Sequence, residues 1–148
     1  MNHGPRNFVQ EEYDKYDAKA KRLLIDHLVV KGHNIINSEE NYYHDIVSNK
    51  DGVDYFFEVE VKLNVPFSSM KNFPYETVSF TGRKLRLHNI KPFFYVIFCL
   101  DTNAYLYCHS NRIYDERYAK DVVINSKNRK GMDKMYRVPK EFCNFVIL

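Results

Sequence analysis

Apolar residues fall at every second position from Tyr55 to Leu63. Tyr55, Phe57, Val59, Val61 and Leu63 alternate with Phe56, Glu58, Glu60 and Lys62. A period of two predicts a strand with one apolar face. Residues 41–48 just upstream are also strand-like, and Asn49-Lys50-Asp51-Gly52 between them is a turn signal, so the two runs predict a hairpin. A two-residue loop at Asp51-Gly52 sets Lys50 opposite Val53 and Asp45 opposite Glu58. Glu60 is then the diagonal neighbour of Asp45, at roughly 7–8 Å between Cα atoms. A four-residue loop shifts the register by two and leaves Asp45 on the same face.

Elsewhere the pattern changes period. Leu23, Leu24, His27, Leu28 and Val30 make an apolar stripe that predicts a helix over 11–31, with Asp14, Lys15, Asp17, Lys19, Lys21 and Arg22 on its wet side and Gly32 as its stop. Asn34, Ile35, Ile36 and Asn37 predict a short strand. Residues 64–80 carry Pro66, Ser68, Ser69, Asn72 and Pro74 and read as a long loop. A short basic helix is predicted over 81–90. The continuous apolar run 93–100 predicts a central strand buried on both faces, and a further strand follows over 104–108. Beyond it come a helix within 111–120, a strand at 122–124, a basic loop over 125–134 around Gly131, and an edge strand in 136–148 interrupted by Pro139.

The expected fold class is therefore α/β: a sandwich in which helices flank a mixed central sheet, in the order α-β-β-β-α-β-β with C-terminal additions. The first three strands form a meander, and the strand after the short helix lies beside them. The 148 residues suit a single domain, with its core at about 11–108 and an extension over 109–148.

Composition changes this picture little. Hydrophobic residues make up 45% of the chain, so it folds and is not disordered. A formal charge of +3 is too weak by itself to argue for nucleic acid, but its distribution is uneven, with acids crowding the first 60 residues and basic clusters the later half. Cys99, Cys108 and Cys143 lie at irregular spacing in apolar contexts, which predicts reduced core thiols and a cytoplasmic protein. No signal-like segment opens the chain, and the longest apolar run is too short for a bilayer, so the expected protein is soluble.

The chemistry concentrates on the polar side of the predicted hairpin. Glu58, Glu60 and Lys62 follow one another there with Asp45 at hairpin distance, which is the grouping that a divalent metal and a water nucleophile require. Asp54 shares that face but sits by the turn, as a surface residue. His27, His33 and His44 read as packed histidines.

These residues resemble the PD-(D/E)XK nuclease superfamily, the restriction-endonuclease-like fold that includes archaeal Holliday-junction resolvases. The likeness spans roughly residues 11–108. The family motif, an acid followed on the next strand by acid-x-Lys, falls on Asp45, Glu60 and Lys62. His44 stands where proline often precedes the first acid. Lys21 stands where a resolvase-like helix glutamate would sit, and Asp17, one turn earlier on the same face with Glu12 behind it, is the substitute.

The resemblance implies a metal-dependent DNA endonuclease. Asp45, Glu60 and the main-chain carbonyl of Val61 would hold Mg²⁺ or Mn²⁺, while Lys62 orients or stabilises the attacking water. Asp17 and Glu58 are the additional acids, with Glu58 a ligand for a second metal or a replacement for Glu60. Arg83, Lys84 and Arg86 are the expected grip on the DNA backbone, with Lys127, Arg129, Lys130 and Lys134 a further basic stretch. Cutting both strands with one small domain favours a homodimer. The competing expectation is a catalytically silent module that keeps the fold and binds DNA or protein.

Overall fold

The computed structural model describes residues 10–38, 44–125 and 130–148. The strand-like residues Asn41, Tyr42 and Tyr43 and the basic residues Lys127 and Arg129 lie outside this set, as do the side chains of Glu12 and Lys130. The first helix, α1, runs over Gln10–Val30. It buries Ala20, Leu24 and Leu28, one residue per turn on a single stripe. It ends where the sequence places a stop. Gly32 adopts φ +96°, its N–H donates to the Val29 carbonyl at 3.0 Å, and the His33 N–H donates to that of Leu28 at 2.9 Å. This paired capping needs a left-handed residue, which glycine supplies without strain.

Three antiparallel strands follow as the expected meander: β1 (Asn34–Asn37), β2 (Ile46–Lys50) and β3 (Val53–Val61). The hairpin takes the tight register, with Lys50 paired to Val53 and Ile46 to Phe57. Asp51 and Gly52 have φ of 54° and 82°, the positive values that match a two-residue loop to strand twist. After β4 (Thr77–Thr81), a 3-10 turn (Gly82–Lys84) and α2 (Leu85–Ile90), the chain enters β5 (Phe94–Cys99), which pairs in parallel with β3. β6 (Ala104–His109) is antiparallel to β5, and β9 (Asn144–Ile147) closes that edge. The result is a mixed six-stranded sheet in the order β1-β2-β3-β5-β6-β9. β5 is buried almost throughout, as its continuous apolar run requires.

The other face of this sheet departs from expectation. It is covered mainly by a second, antiparallel sheet, β4-β8-β7, formed by β4, β8 (Lys130–Pro139) and β7 (Ala119–Asn125), and not by helices. Val78 and Phe80 of β4 and Tyr136 and Val138 of β8 alternate inward and pack on Phe93, Tyr95 and Ile97. So 77–81 is a strand and not the end of a loop, and residues 130–134 of the expected basic loop belong to β8. The expected helix within 111–120 shrinks to α3 (Ser110–Ile113) and a 3-10 turn at Glu116–Tyr118. The C-terminal segment supplies β7, β8 and β9, and therefore pairs with strands on both sides of the sandwich instead of appending to it.

This second layer corrects the reading of β3. Its odd positions Phe57, Val59 and Val61 form the predicted apolar face and pack with α1, but the even face is solvated only at Asp54 near the turn: Phe56 packs against the inter-sheet core, Glu58 is 3% exposed and Glu60 is half-buried. No helix among the described residues is long and apolar enough to cross a membrane, and Cys99, Cys108 and Cys143 are free thiols, all buried.

A candidate active site where the hairpin opens

β3 outruns β2 at its C-terminal end, and the residues around that overhang carry the polar chemistry. Asp45, just before β2, exchanges two hydrogen bonds with β3. Its Oδ2 accepts from the Val59 N–H at 2.8 Å, and its own N–H donates to Glu58 Oε2 at 2.9 Å. Asp45 thus continues the hairpin by one side-chain rung opposite Glu58, where the register predicted it.

Glu58 is fully engaged. Its Oε1 accepts from Lys84 Nζ at 2.7 Å while Oε2 accepts from Asp45. Its burial would push the carboxyl up, but His44, the Lys84 ammonium and the Asp45 N–H together outweigh that and hold it below its ordinary value. His44 Nδ1 stands 3.6 Å from Oε2, too far for a hydrogen bond, so the Lys84 contact is the stronger draw. Glu58 is therefore neither a solvated strand carboxylate nor an open ligand. His44 is packed, as expected, with Phe56 and Phe93 each 5.4 Å from its ring, and neither ring nitrogen has a hydrogen-bond partner.

Two adjoining cavities open beside this rung. One of about 460 Å³ is bordered by Asp17, Lys21, Asp45, Val59 and Lys84. The other, of about 510 Å³, is bordered by Asp17, Val59, Glu60, Val61, Lys62 and Lys84. Asp17, Val59 and Lys84 face both, so α1, the residue before β2, β3 and the turn after β4 contribute to one cleft. Lys21 is tied back by donating to the Ser38 carbonyl at 2.9 Å. Asp17 is the α1 acid that borders both cavities, and Asp14 borders the first.

Glu60 and Lys62 are held from opposite sides. The Tyr95 hydroxyl donates to Glu60 Oε1. Lys62 Nζ lies 4.0 Å from Glu60 Oε2 and donates to the Ser79 carbonyl at 3.1 Å. The Lys62 N–H donates to the Phe98 carbonyl at 3.1 Å, which extends the β3–β5 pairing past Val61 and fixes the direction of both side chains.

Electrostatics mark the cleft as short of positive charge. The Asp45 carboxyl is raised by burial and then by repulsion from Glu58. That of Asp17 is raised by lost hydration, then by Asp45, with Glu60 adding to it. Lys84 is raised above its ordinary value because Glu58, Asp45 and Glu60 outweigh its desolvation. Among the described residues no group of three or more His, Cys, Asp or Glu side chains is placed to hold a metal ion. The donors are all oxygens spread around an open cleft, which fits a hard ion that keeps several of its own waters and takes only one or two carboxylates.

The three basic residues expected on the DNA-facing helix separate. Arg83 is exposed and its Nε donates to Asp133 at 3.0 Å, Arg86 is exposed on α2, and Lys84 turns inward to Glu58. Lys84 caps a helix whose buried anchor, Leu87, lies one turn further on, and no sequence period distinguishes its inward direction. Tyr95 was also missed, although a lone hydroxyl in a fully buried strand demands a partner. Its pairing opposite Glu58 puts that hydroxyl beside the acids of β3. No model of a known protein family, no curated protein and no solved structure matches this chain.

Proposed function

We propose that this chain is a divalent-metal-dependent nuclease that hydrolyses phosphodiester bonds in DNA, on a sandwich of the restriction-endonuclease-like kind. One observation carries the reading. Asp17 of α1, Asp45 just before β2, Glu60 of β3 and Lys62 just after it border one continuous cleft. Asp45, Glu60 and the Val61 carbonyl are the proposed holders of Mg²⁺ or Mn²⁺, with Asp17 as a further acid. When bound, such an ion neutralises phosphate charge and makes water a stronger nucleophile. The protein's own groups do the rest. Tyr95 fixes the Glu60 rotamer. Val59 fixes that of Asp45. Lys62, tethered to the β4 carbonyl, holds a positive charge at the mouth, where it orients water and offsets charge developing on the phosphate. Arg83 and Arg86 remain as outer contacts for the DNA backbone, and a homodimer would place two such clefts on opposite strands.

The test is purified protein with Mg²⁺ or Mn²⁺ against plasmid, flap, junction and single-stranded substrates. Cleavage is expected, and Lys62→Ala is expected to lower its rate by ~10²–10⁴ while DNA binding persists. An alanine variant that cuts within a few-fold of wild type would remove Lys62 from the mechanism. A second reading, a silent module on the same scaffold, is favoured by one feature: the Lys84 ammonium already lies among the acids as a built-in counter-charge. Calorimetric titration with Mn²⁺ separates the two, since a silent site takes up the ion weakly or not at all.

A further inference from the structure

A third cavity, of about 510 Å³, lies on the α1 side of the large sheet, beside the C-terminal half of the helix. α1 packs across β1 and β3, and the flank it leaves uncovered presents half-buried aromatic rings from three adjacent strands: Tyr55 of β3, Phe94 of β5 and Tyr107 of β6. Tyr55 and Phe94 are stacked, with centroids 6.2 Å apart and planes at 30°, and Tyr107 meets Phe94 edge-on at 5.8 Å. The cavity also has charge. Among the described residues, Lys31 and Lys50 border it and no carboxylate does. The two lysines sit at the end where α1 stops: Lys50 Cε is 3.6 Å from where a Cβ on Gly32 would stand. His27 and His33, also on this wall, are held low by burial and then by Lys31 and Lys50 respectively, so the lysines carry the positive charge there.

We propose that this face binds an unpaired nucleotide of a single-stranded nucleic acid, its base against Tyr55, Phe94 and Tyr107 and its phosphate between Lys31 and Lys50. Each part of the ligand has a counterpart. A base offers a flat π-face to rings that stack whatever its identity, the ammonium pair suits a phosphate oxygen, and the volume lies in the range of small-ligand pockets. A second copy of this chain fits less well, because a symmetric contact through this face would bring four ammonium groups together without a carboxylate on the cavity wall. Tyr55 lies five residues before Glu60 on the opposite face of β3, ~17 Å along the strand. The platform is thus distinct from the cleft and would hold an unpaired stretch away from the bond being cut. The choice of polymer rests on the nuclease reading, but the binding itself does not require cleavage.

The experiment is fluorescence anisotropy with a labelled oligothymidylate and a duplex of equal length, in EDTA so that metal and cleavage play no part. Tyr55→Ala and Tyr107→Ala are each expected to weaken strand binding by roughly 5- to 150-fold, the range for loss of one stacked base. Tyr→Phe at either position keeps the ring and is expected to bind within about twofold. Lys31→Gln with Lys50→Gln should flatten log K against log salt by ~0.7 for each phosphate no longer neutralised. These lysines are peripheral to the core, so that double variant decides the matter if an alanine variant fails to fold. Alanine variants that bind like wild type, or a duplex that binds as tightly as the strand, overturn the proposal. So does a dimer in sedimentation that Tyr107→Ala dissolves, which assigns the face to a second copy. Ring-dependent strand binding without cleavage under any metal leaves the platform standing and removes the nuclease reading. Cleavage with ring-independent binding does the reverse.

Discussion

Replacing Lys84 by methionine tests the central electrostatic claim about the cleft. The ammonium donates to Glu58 Oε1 at 2.7 Å, and its side chain is 23% exposed against 4% for that of Glu58. Methionine preserves much of the stem's packing and removes the charge, so Glu58 is left buried with only the Asp45 N–H and the distant His44 ring. Breaking a buried pair by removing one partner costs ~3–5 kcal/mol, because the remaining charge is uncompensated. For a chain of this size each kcal/mol moves the midpoint by ~2–4 °C, so the loss should be roughly 6–20 °C in a metal-free melt. The pH dependence has a definite sign. Glu58 is held below its ordinary value of 4.5 in the wild type. Its contribution is therefore present above the unfolded pKa and lost as pH falls through the folded one. Differential scanning calorimetry at pH 7 and at successively lower pH should show the gap between wild type and Lys84→Met closing as pH falls through the lowered folded pKa and Glu58 is protonated in both. Adding Glu58→Gln to Lys84→Met should recover most of the neutral-pH loss. A single variant that melts within a degree of wild type at pH 7, or a gap that does not narrow in acid, refutes the idea that Lys84 neutralises a buried carboxylate.

Asp45→Asn should weaken Mn²⁺ binding in calorimetry, yet raise the melting temperature in metal-free buffer at neutral pH. The Asp45 carboxyl is raised above its ordinary 3.8, so the stability it gives is full below the unfolded pKa and lost as pH rises through the folded one. Equal ion affinity in both proteins would mean Asp45 is no ligand. Gly82→Ala should destabilise the fold by ~1–3 kcal/mol in chemical denaturation, because a Cβ there would stand 2.6 Å from the Lys134 carbonyl oxygen on β8. A neutral outcome would mean that the second sheet yields easily to the turn before α2.

Short-range physics accounts for the elements that could be read directly from the chain. Gly32 stops α1, Asp51-Gly52 sets a two-residue turn, and the turn sets a register that carries Asp45 to the rung beside Glu58. The alternation of β3 and the unbroken apolar run of β5 mark both as strands, with β5 buried on both faces. Each follows from neighbours a few residues apart, whose geometry leaves few alternatives. What lies over the even face of β3 follows instead from contacts between segments far apart in the chain. β4 is five residues long and follows a segment rich in proline and serine. It exists as a strand because β8, far away in sequence, pairs with it through Val78–Val138 and Phe80–Tyr136. That distant pairing buries Glu58, draws Lys84 inward off its helix face, ties Lys62 to Ser79 and turns a wet strand surface into the wall of a cleft. A carboxylate's environment depends on what the fold lays over it, and no period in the chain records that.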